Sequence, residues 1–311
     1  MSLRALYDLV APAKINLFLH VVGRRADGYH LLESVFVLID WADTLHVECR
    51  NDGQLVRHDL GPALPADDLC LRAARALQQA SATALGADIS ILKRVPWGAG
   101  MGGGSSDAAT TLLALNHLWG LHWPRQQLTR IGLTLGADVP FFLLGRHALV
   151  QGIGERLTPM SLQPMQLAVV KPPATIPTRD IFKHPLLKRD AQTVIVSGFP
   201  EGAEQEQVGW PLSWGAEGSV QAMSFGRNDL QPAAVDRCPE VAQAARWLQA
   251  RYGNSRMTGS GSAVFARVGF AGMAGVGASP LATFPADELP PDWVGRLCHS
   301  LVEHPLRGWA G

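Results

Sequence analysis

Charge and cysteine are scarce in this chain of 311 residues, and each shortage closes off a class of function. Charged residues make up 17% of the sequence, with Lys plus Arg at 27 against Asp plus Glu at 27. Neutralising a nucleic-acid backbone takes a basic surface, so bulk charge offers no nucleic-acid partner. The four cysteines, Cys49, Cys70, Cys238 and Cys298, lie far apart without the paired spacing of a metal site. Reduced thiols in a reducing compartment are expected, with no zinc and no protein metal ligand assigned. The N-terminal run, residues 1–10, carries Arg4 and Asp8. It is too short for a cleaved signal or a membrane span, so a soluble, cytoplasmic protein with no membrane partner is expected. Hydrophobic residues reach 47%, far from the composition of a disordered chain. Length allows two cores, and no segment repeats at a fixed period.

What the sequence does have is glycine at one place. Residues 96–109 read Pro-Trp-Gly-Ala-Gly-Met-Gly-Gly-Gly-Ser-Ser-Asp-Ala-Ala. Alternation over 88–95 predicts a strand before this run, and a helix is predicted over 108–118 after it. Glycine lets backbone approach a bound group, and Ser105 and Ser106 are expected to cap the helix, whose positive end faces the same way. Strand, glycine loop and helix start make an anion site. A Walker loop needs Lys then Ser or Thr at its end, but Gly104 is followed directly by Ser105. A dinucleotide fingerprint expects an acid roughly 20 positions on, and residues 108–137 contain no Asp or Glu. A glycine-rich turn with a helix cap is the bland alternative.

The remaining candidates are scattered. Residues 6–22 read as a strand interrupted around Pro12, with Ile15, Leu17, Leu19 and Val21 on one face. Lys14, Asn16, Phe18 and His20 share the other. Lys14 alone could be a lysine snorkelling from a strand end. A polar turn over 23–30 leads to Tyr29 and His30, which suit a cleft rim or ordinary packing equally well. Helices are predicted over 67–79, 124–135 and 239–252, and a strand over 167–170. Asp138 follows Gly136 on a glycine- and proline-bounded turn. At a helix C-terminus the dipole disfavours it, which leaves a chemical role or backbone hydrogen bonding in the turn. A domain boundary is expected between 154 and 164, giving units 1–158 and 159–311. Residues 191–222 show no period and read as a surface excursion.

Taken together, Pro12-Ala-Lys-Ile-Asn-Leu17, Arg25-Ala-Asp-Gly-Tyr-His30, the glycine stretch, Leu135-Gly-Ala-Asp-Val-Pro140, Asn228-Asp-Leu230 and Met257-Thr-Gly-Ser-Gly261 resemble the GHMP kinase superfamily. The match runs from Pro12 to Phe265 in the family's order. The resemblance implies an α+β, two-domain fold with the active cleft between the domains, and ATP with Mg²⁺ as phosphoryl donor. It implies that Lys93, Pro96, Gly98, Gly100, Gly102, Gly103, Gly104, Ser105 and Ser106 bind ATP. It makes Asp138 the base or orienting group for a substrate hydroxyl and Lys14 its partner. The substrate it implies is a small alcohol linked to cytidine diphosphate, a methylerythritol, met by Asn16, Tyr29, His30, Thr178 and Phe182. Another small alcohol, or a silent nucleotide-binding module, are the competing readings, and a monomer or weak homodimer is expected. Two positions depart from the pattern. Asp68 stands where Asn is expected, near the adenine side with Lys93, and Trp97 replaces a smaller apolar residue.

Overall fold

A computed structural model describes residues 3–188, 227–268 and 284–310; the expected excursion over 191–222 lies outside them. Two long strands, β1 (Ala5–Arg24) and β2 (His30–Arg50), form an antiparallel hairpin that organises the first half. β3 (Leu55–Asp59), β4 (Gly86–Leu92), β5 (Ala148–Gly152) and β6 (Arg156–Pro159) complete a six-stranded sheet in the order β3-β4-β2-β5-β6, with β1 paired to β2. β2 is long enough to pair with β4 through its second half and with β5 through its first. The second sheet has the order β10-β7-β9-β8, from β7 (Gln166–Lys171), β8 (Arg256–Met257), β9 (Val264–Val268) and β10 (Val294–His299).

Pro12 does not break β1. It falls at a register shift between Pro12 and Ala13, where a missing N–H costs the ladder least. A second shift between Asn16 and Leu19 overturns the expected single apolar face. Ile15 packs with Phe18 in a core shared with Val37, Val169 and Phe265, whereas Leu19 and Val21 pack with Ala168, Val170 and Val264. One extra residue in a strand exchanges its faces, and strict alternation in the sequence cannot reveal it. Both faces are buried here, so the first half and the second sheet share apolar cores.

Helix α1 (Leu69–Ser81) starts at Asp68, whose carboxylate accepts from Leu71 N–H at 3.1 Å. Its buried stripe is Cys70, Ala73, Ala74 and Leu77. Helix α2 (Gly103–Leu118) is buried nearly all round, packed against β1, β2 and α1 and against two further helices, α3 (Arg125–Leu135) and α4 (Val139–Leu144). In the second half lie α5 (Thr178–Lys183), α6 (Gln231–Arg237) and α7 (Pro239–Tyr252). After β10 the chain returns to the first half: Arg125 donates to the carbonyls of Arg307 and Ala310, and Leu306 and Ala310 join the core around α2. No helix among the described residues is long and apolar enough to cross a membrane, and the four cysteines are free.

Two buried histidines make stability depend on pH. His147 Nδ1 accepts from Leu38 N–H at 3.2 Å, and His304 Nδ1 accepts from Leu306 N–H at 3.1 Å. Both rings are therefore held neutral, and burial lowers each pKa to about 4. Between that value and the unfolded value of about 6.5, the unfolded chain binds more protons, so stability falls as pH falls. The full effect is up to about 3 kcal/mol per ring. Melting temperature should drop below pH 6.5, and His147→Gln should flatten that slope. An unchanged slope would remove His147 from the account.

Candidate active site

Three segments meet beside the start of α2. Lys14 on β1 donates its backbone N–H to Met101 O at 2.9 Å, fixing the strand to the glycine loop. Gly102, in the left-handed region at φ 71°, is the N-cap, and α2 begins at Gly103. This is five residues earlier than predicted. Ser105 and Ser106 therefore lie within the first turn and cap nothing. Ser106 N–H donates to Gly102 O at 2.9 Å, so the N–H groups of Gly103, Gly104 and Ser105 precede the helix's own hydrogen bonding. Those groups and the dipole behind them suit phosphate.

Lys14 is buried. Its ammonium lies 3.7 Å from Asp138 Oδ2, 4.4 Å above the Phe36 ring, and donates to Asn16 Oδ1. Burial lowers the Lys14 pKa, and the Asp138 charge opposes the fall. Asp138 retains 30% exposure, open enough to meet a ligand. Its turn ends α3 and also starts α4, so the dipole argument that disfavoured it from the helix before is offset by the helix after. Asn16 is 1% exposed, and its amide is committed: Nδ2 donates to Ser34 at 2.9 Å, and Oδ1 accepts from Lys14 and from Thr258. Asn16, expected at the substrate, holds the Lys14 ammonium through its Oδ1. Thr258 also accepts from Asn16 N–H at 2.8 Å, so the second half reaches into the network.

Lys93 was expected near adenine. Its ammonium instead turns into the protein between Asp43 and Asp107, lying 2.5 Å from the latter. Burial acting alone would lower the Lys93 pKa, but the two carboxylates outweigh it and raise it. Burial pushes the Asp107 carboxyl well up. Asp43 further accepts from Val95 N–H at 2.8 Å, so the triad staples the entrance of the glycine loop to its exit. Asp43 and Asp107 went unassigned from sequence; an acid inside the apolar run of β2 was the available signal. Asp68, besides capping α1, pairs with Arg57 at 2.9 Å, which gives its charge a structural partner. Pro96 leads into the loop, and Trp97 beside Gly98 is 61% exposed.

The second glycine loop, 258–263, lies against the first. Ser262 N–H donates to Gly98 O and Ala263 N–H to Ala99 O, each at 3.2 Å. Asn228 braces it by donating to Met257 O and Gly259 O at 2.7 and 2.8 Å. Thr178 is 2.8 Å from Ser260, and on the same helix Phe182 stacks on His30 with centroids 5.0 Å apart and planes 27° apart. His30 from the first half and Phe182 from the second thus form one aromatic platform. Tyr29, 61% exposed at the hairpin end, stands at its rim in sequence but makes no ring contact with it. Among the described residues no three His, Cys, Asp or Glu gather into a metal-holding group. Ser106 Oγ, Asp107 Oδ1 and Thr110 Oγ1 are buried without a hydrogen-bond partner on the first turns of α2.

The family models for the GHMP kinases N terminal domain and GHMP kinases C terminal match residues 68–146 and 218–269. A relative from Methylibium petroleiphilum, a 4-diphosphocytidyl-2-C-methyl-D-erythritol kinase, is 60% identical over 312 residues, covering 100% of both chains. The chain belongs to this family of GHMP kinases. A family member from Verminephrobacter eiseniae is 55% identical over 316 residues, covering 99% of each chain. A crystal structure of 4-(cytidine 5'-diphospho)-2C-methyl-D-erythritol kinase aligns at TM-score 0.67 and 36% identity, over 83% of this chain and 88% of that one. Homoserine kinase from Cytophaga hutchinsonii aligns at TM-score 0.64 and 15% identity, over 98% and 96%, a likeness of fold. Membership makes the chain an ATP-dependent small-molecule kinase with the two-part GHMP fold.

Proposed function

We propose that the chain transfers the γ-phosphoryl group of ATP to the 2-hydroxyl of 4-diphosphocytidyl-2-C-methyl-D-erythritol, giving ADP and the 2-phosphate, in the methylerythritol phosphate route to isoprenoid precursors. The observation that carries this reading is the Lys14–Asp138 pair beside the α2 start, together with the His30–Phe182 platform that joins the two halves. The unit boundary at 158/159 is part of the proposal, as are the soluble cytoplasmic setting and a monomer or weak homodimer.

Phosphoryl transfer asks a protein for alignment and charge stabilisation more than for covalent chemistry. The N–H groups of Gly103, Gly104 and Ser105 would hold phosphate oxygens, with the loop from Pro96 to Gly102 under the nucleotide. Asp138 accepts a hydrogen bond from the substrate hydroxyl and takes its proton late in transfer, because a carboxylate is a weak base for an alcohol. Lys14 faces Asp138 at 3.7 Å and would offset charge on the moving phosphoryl group. Ser106 Oγ, buried and unpartnered, fits a metal on the phosphates. Mg²⁺ held there would supply counter-charge for the phosphoryl group in transfer.

Cytosine would stack on the His30–Phe182 platform. At 5.0 Å the rings leave no space for a third between them, so the base takes an outer face or displaces His30. Tyr29 and Thr178 border that position. Phe182→Ala should raise KM for the cytidylated alcohol roughly tenfold and leave KM for ATP within twofold, the loss expected for one base stack. A rise confined to ATP would move Phe182 out of the alcohol site.

The reaction itself is tested by coupled ADP release with Mg-ATP and the cytidylated alcohol, uncytidylated methylerythritol phosphate or mevalonate. Turnover confined to the first is expected. Turnover of mevalonate alone would overturn the substrate and leave the fold standing; no turnover with any would favour a silent module.

A further inference from the structure

Lys171 ends β7 with a 5% exposed side chain, and nothing in the chemistry above uses it. Among the described residues its ammonium donates to one neutral acceptor, Ala174 O, at 2.8 Å. Burial lowers its pKa. A buried cation with a single carbonyl partner is a poor stabilising device, since desolvation outweighs one hydrogen bond. Its position offers another reason for keeping it. Ala174 O also accepts from Ser262 Oγ at 2.5 Å, and Ser262 N–H donates to Gly98 O at 3.2 Å. The next residue, Thr175, covers Gly98 so closely that a methyl group there would lie 2.4 Å from Thr175 Cγ2. Segment 172–177 is therefore a bracket between the two glycine loops, pinned at one carbonyl by donors from β7 and from the second loop.

We propose that Lys171 is a positioning residue for ATP: by fixing Ala174 O it seats Thr175 and Ser262 on Gly98 and so sets the shape of the loop under the nucleotide. The inference rests on the reading of that loop as the ATP site. Lys171→Met keeps the length and removes the charge. It should raise KM for ATP by about tenfold, leave KM for the alcohol within twofold, and leave the melting temperature unchanged or higher. Ser262→Ala, which removes the other donor, should shift KM for ATP in the same direction. In the double variant the loss should be less than the product of the single losses, because both donors act through one oxygen. A lowered melting temperature with both KM values moving together would reduce Lys171 to a structural part and overturn the proposal. Unchanged KM for ATP in a folded Lys171→Met or Ser262→Ala protein would overturn it equally. Calorimetric ATP binding by the unmodified protein separates the two levels. Its absence sinks the site reading and the Lys171 inference with it, whereas normal binding with unaffected variants sinks the inference alone.

Discussion

Asp138→Asn is expected to lower turnover by at least about two orders of magnitude while ATP affinity changes only a few-fold. Asn keeps the shape of the side chain and removes its charge and its basicity. Asp138 is the carboxylate that both faces Lys14, at 3.7 Å, and keeps 30% exposure. Partial exposure limits what the pair adds to stability, so the loss should appear in kcat rather than in melting temperature. The variant also leaves the buried Lys14 ammonium without the carboxylate charge that opposes its desolvation, which drives its pKa further down. A Lys14→Met/Asp138→Asn double variant should therefore be little worse than the poorer single variant, as for groups that act as one unit. Quenched-flow measurement of the chemical step decides it. Unchanged turnover would strip Asp138 of its role, and multiplicative losses would mean that the two residues act separately.

How far this site could be read from sequence differs from residue to residue. Glycines over 98–104, the lone acid at Asp138 and the turn before His30 are local signals; the fold brings the glycine loop and Asp138 to Lys14 and sets His30 against Phe182 of the second half. The fate of Lys93 was not local. Its sequence position beside the loop fits adenine contact, but Asp43, 50 residues earlier in the chain, captures it, and only the β2–β4 register puts Asp43 there. The start of α2 was set too late because Gly103 and Gly104 are poor helix formers. Burial on every side of α2 supplies what propensity withholds, since most helical stability in proteins comes from packing. The exchange of faces after Asn16 depends on a bulge, whereas Lys14 and Asn16 meet through the ordinary i, i+2 alternation before it, and Thr258 of the second glycine loop holds Asn16 from the other half. Asp68, which stands where the family pattern has Asn, is a cap for α1 that Asp makes as well as Asn, with Arg57 answering its charge.

Contact between the two glycine loops leads to the second large effect. Gly100→Ala should weaken ATP binding by tenfold or more and lower stability by about 1–3 kcal/mol. Gly100 has φ 72°, in the left-handed region, where a Cβ carries a steric cost. A Cβ there would also lie 2.4 Å from Thr258 O and 3.0 Å from Gly261 N. Those are backbone atoms of the opposite loop, which cannot swing aside as a side chain can. Gly259 meets the same wall from the other side, with its added Cβ 2.5 Å from Gly100 O. One methyl group at either position thus wedges the loops apart, shifting Thr258 away from Asn16 and, through it, Lys14 from Asp138. Gly104→Ala is the comparison. A Cβ there meets Leu69 at 3.6 Å, an ordinary contact, inside a helix where Ala is the better former. It should hold or raise the melting temperature, and any loss of ATP affinity at that position reports phosphate against the backbone rather than a disturbed fold. Melting curves and ATP calorimetry on the two variants separate these effects. Equal behaviour of Gly100→Ala and Gly104→Ala would mean that the loop-to-loop contact does not set the site.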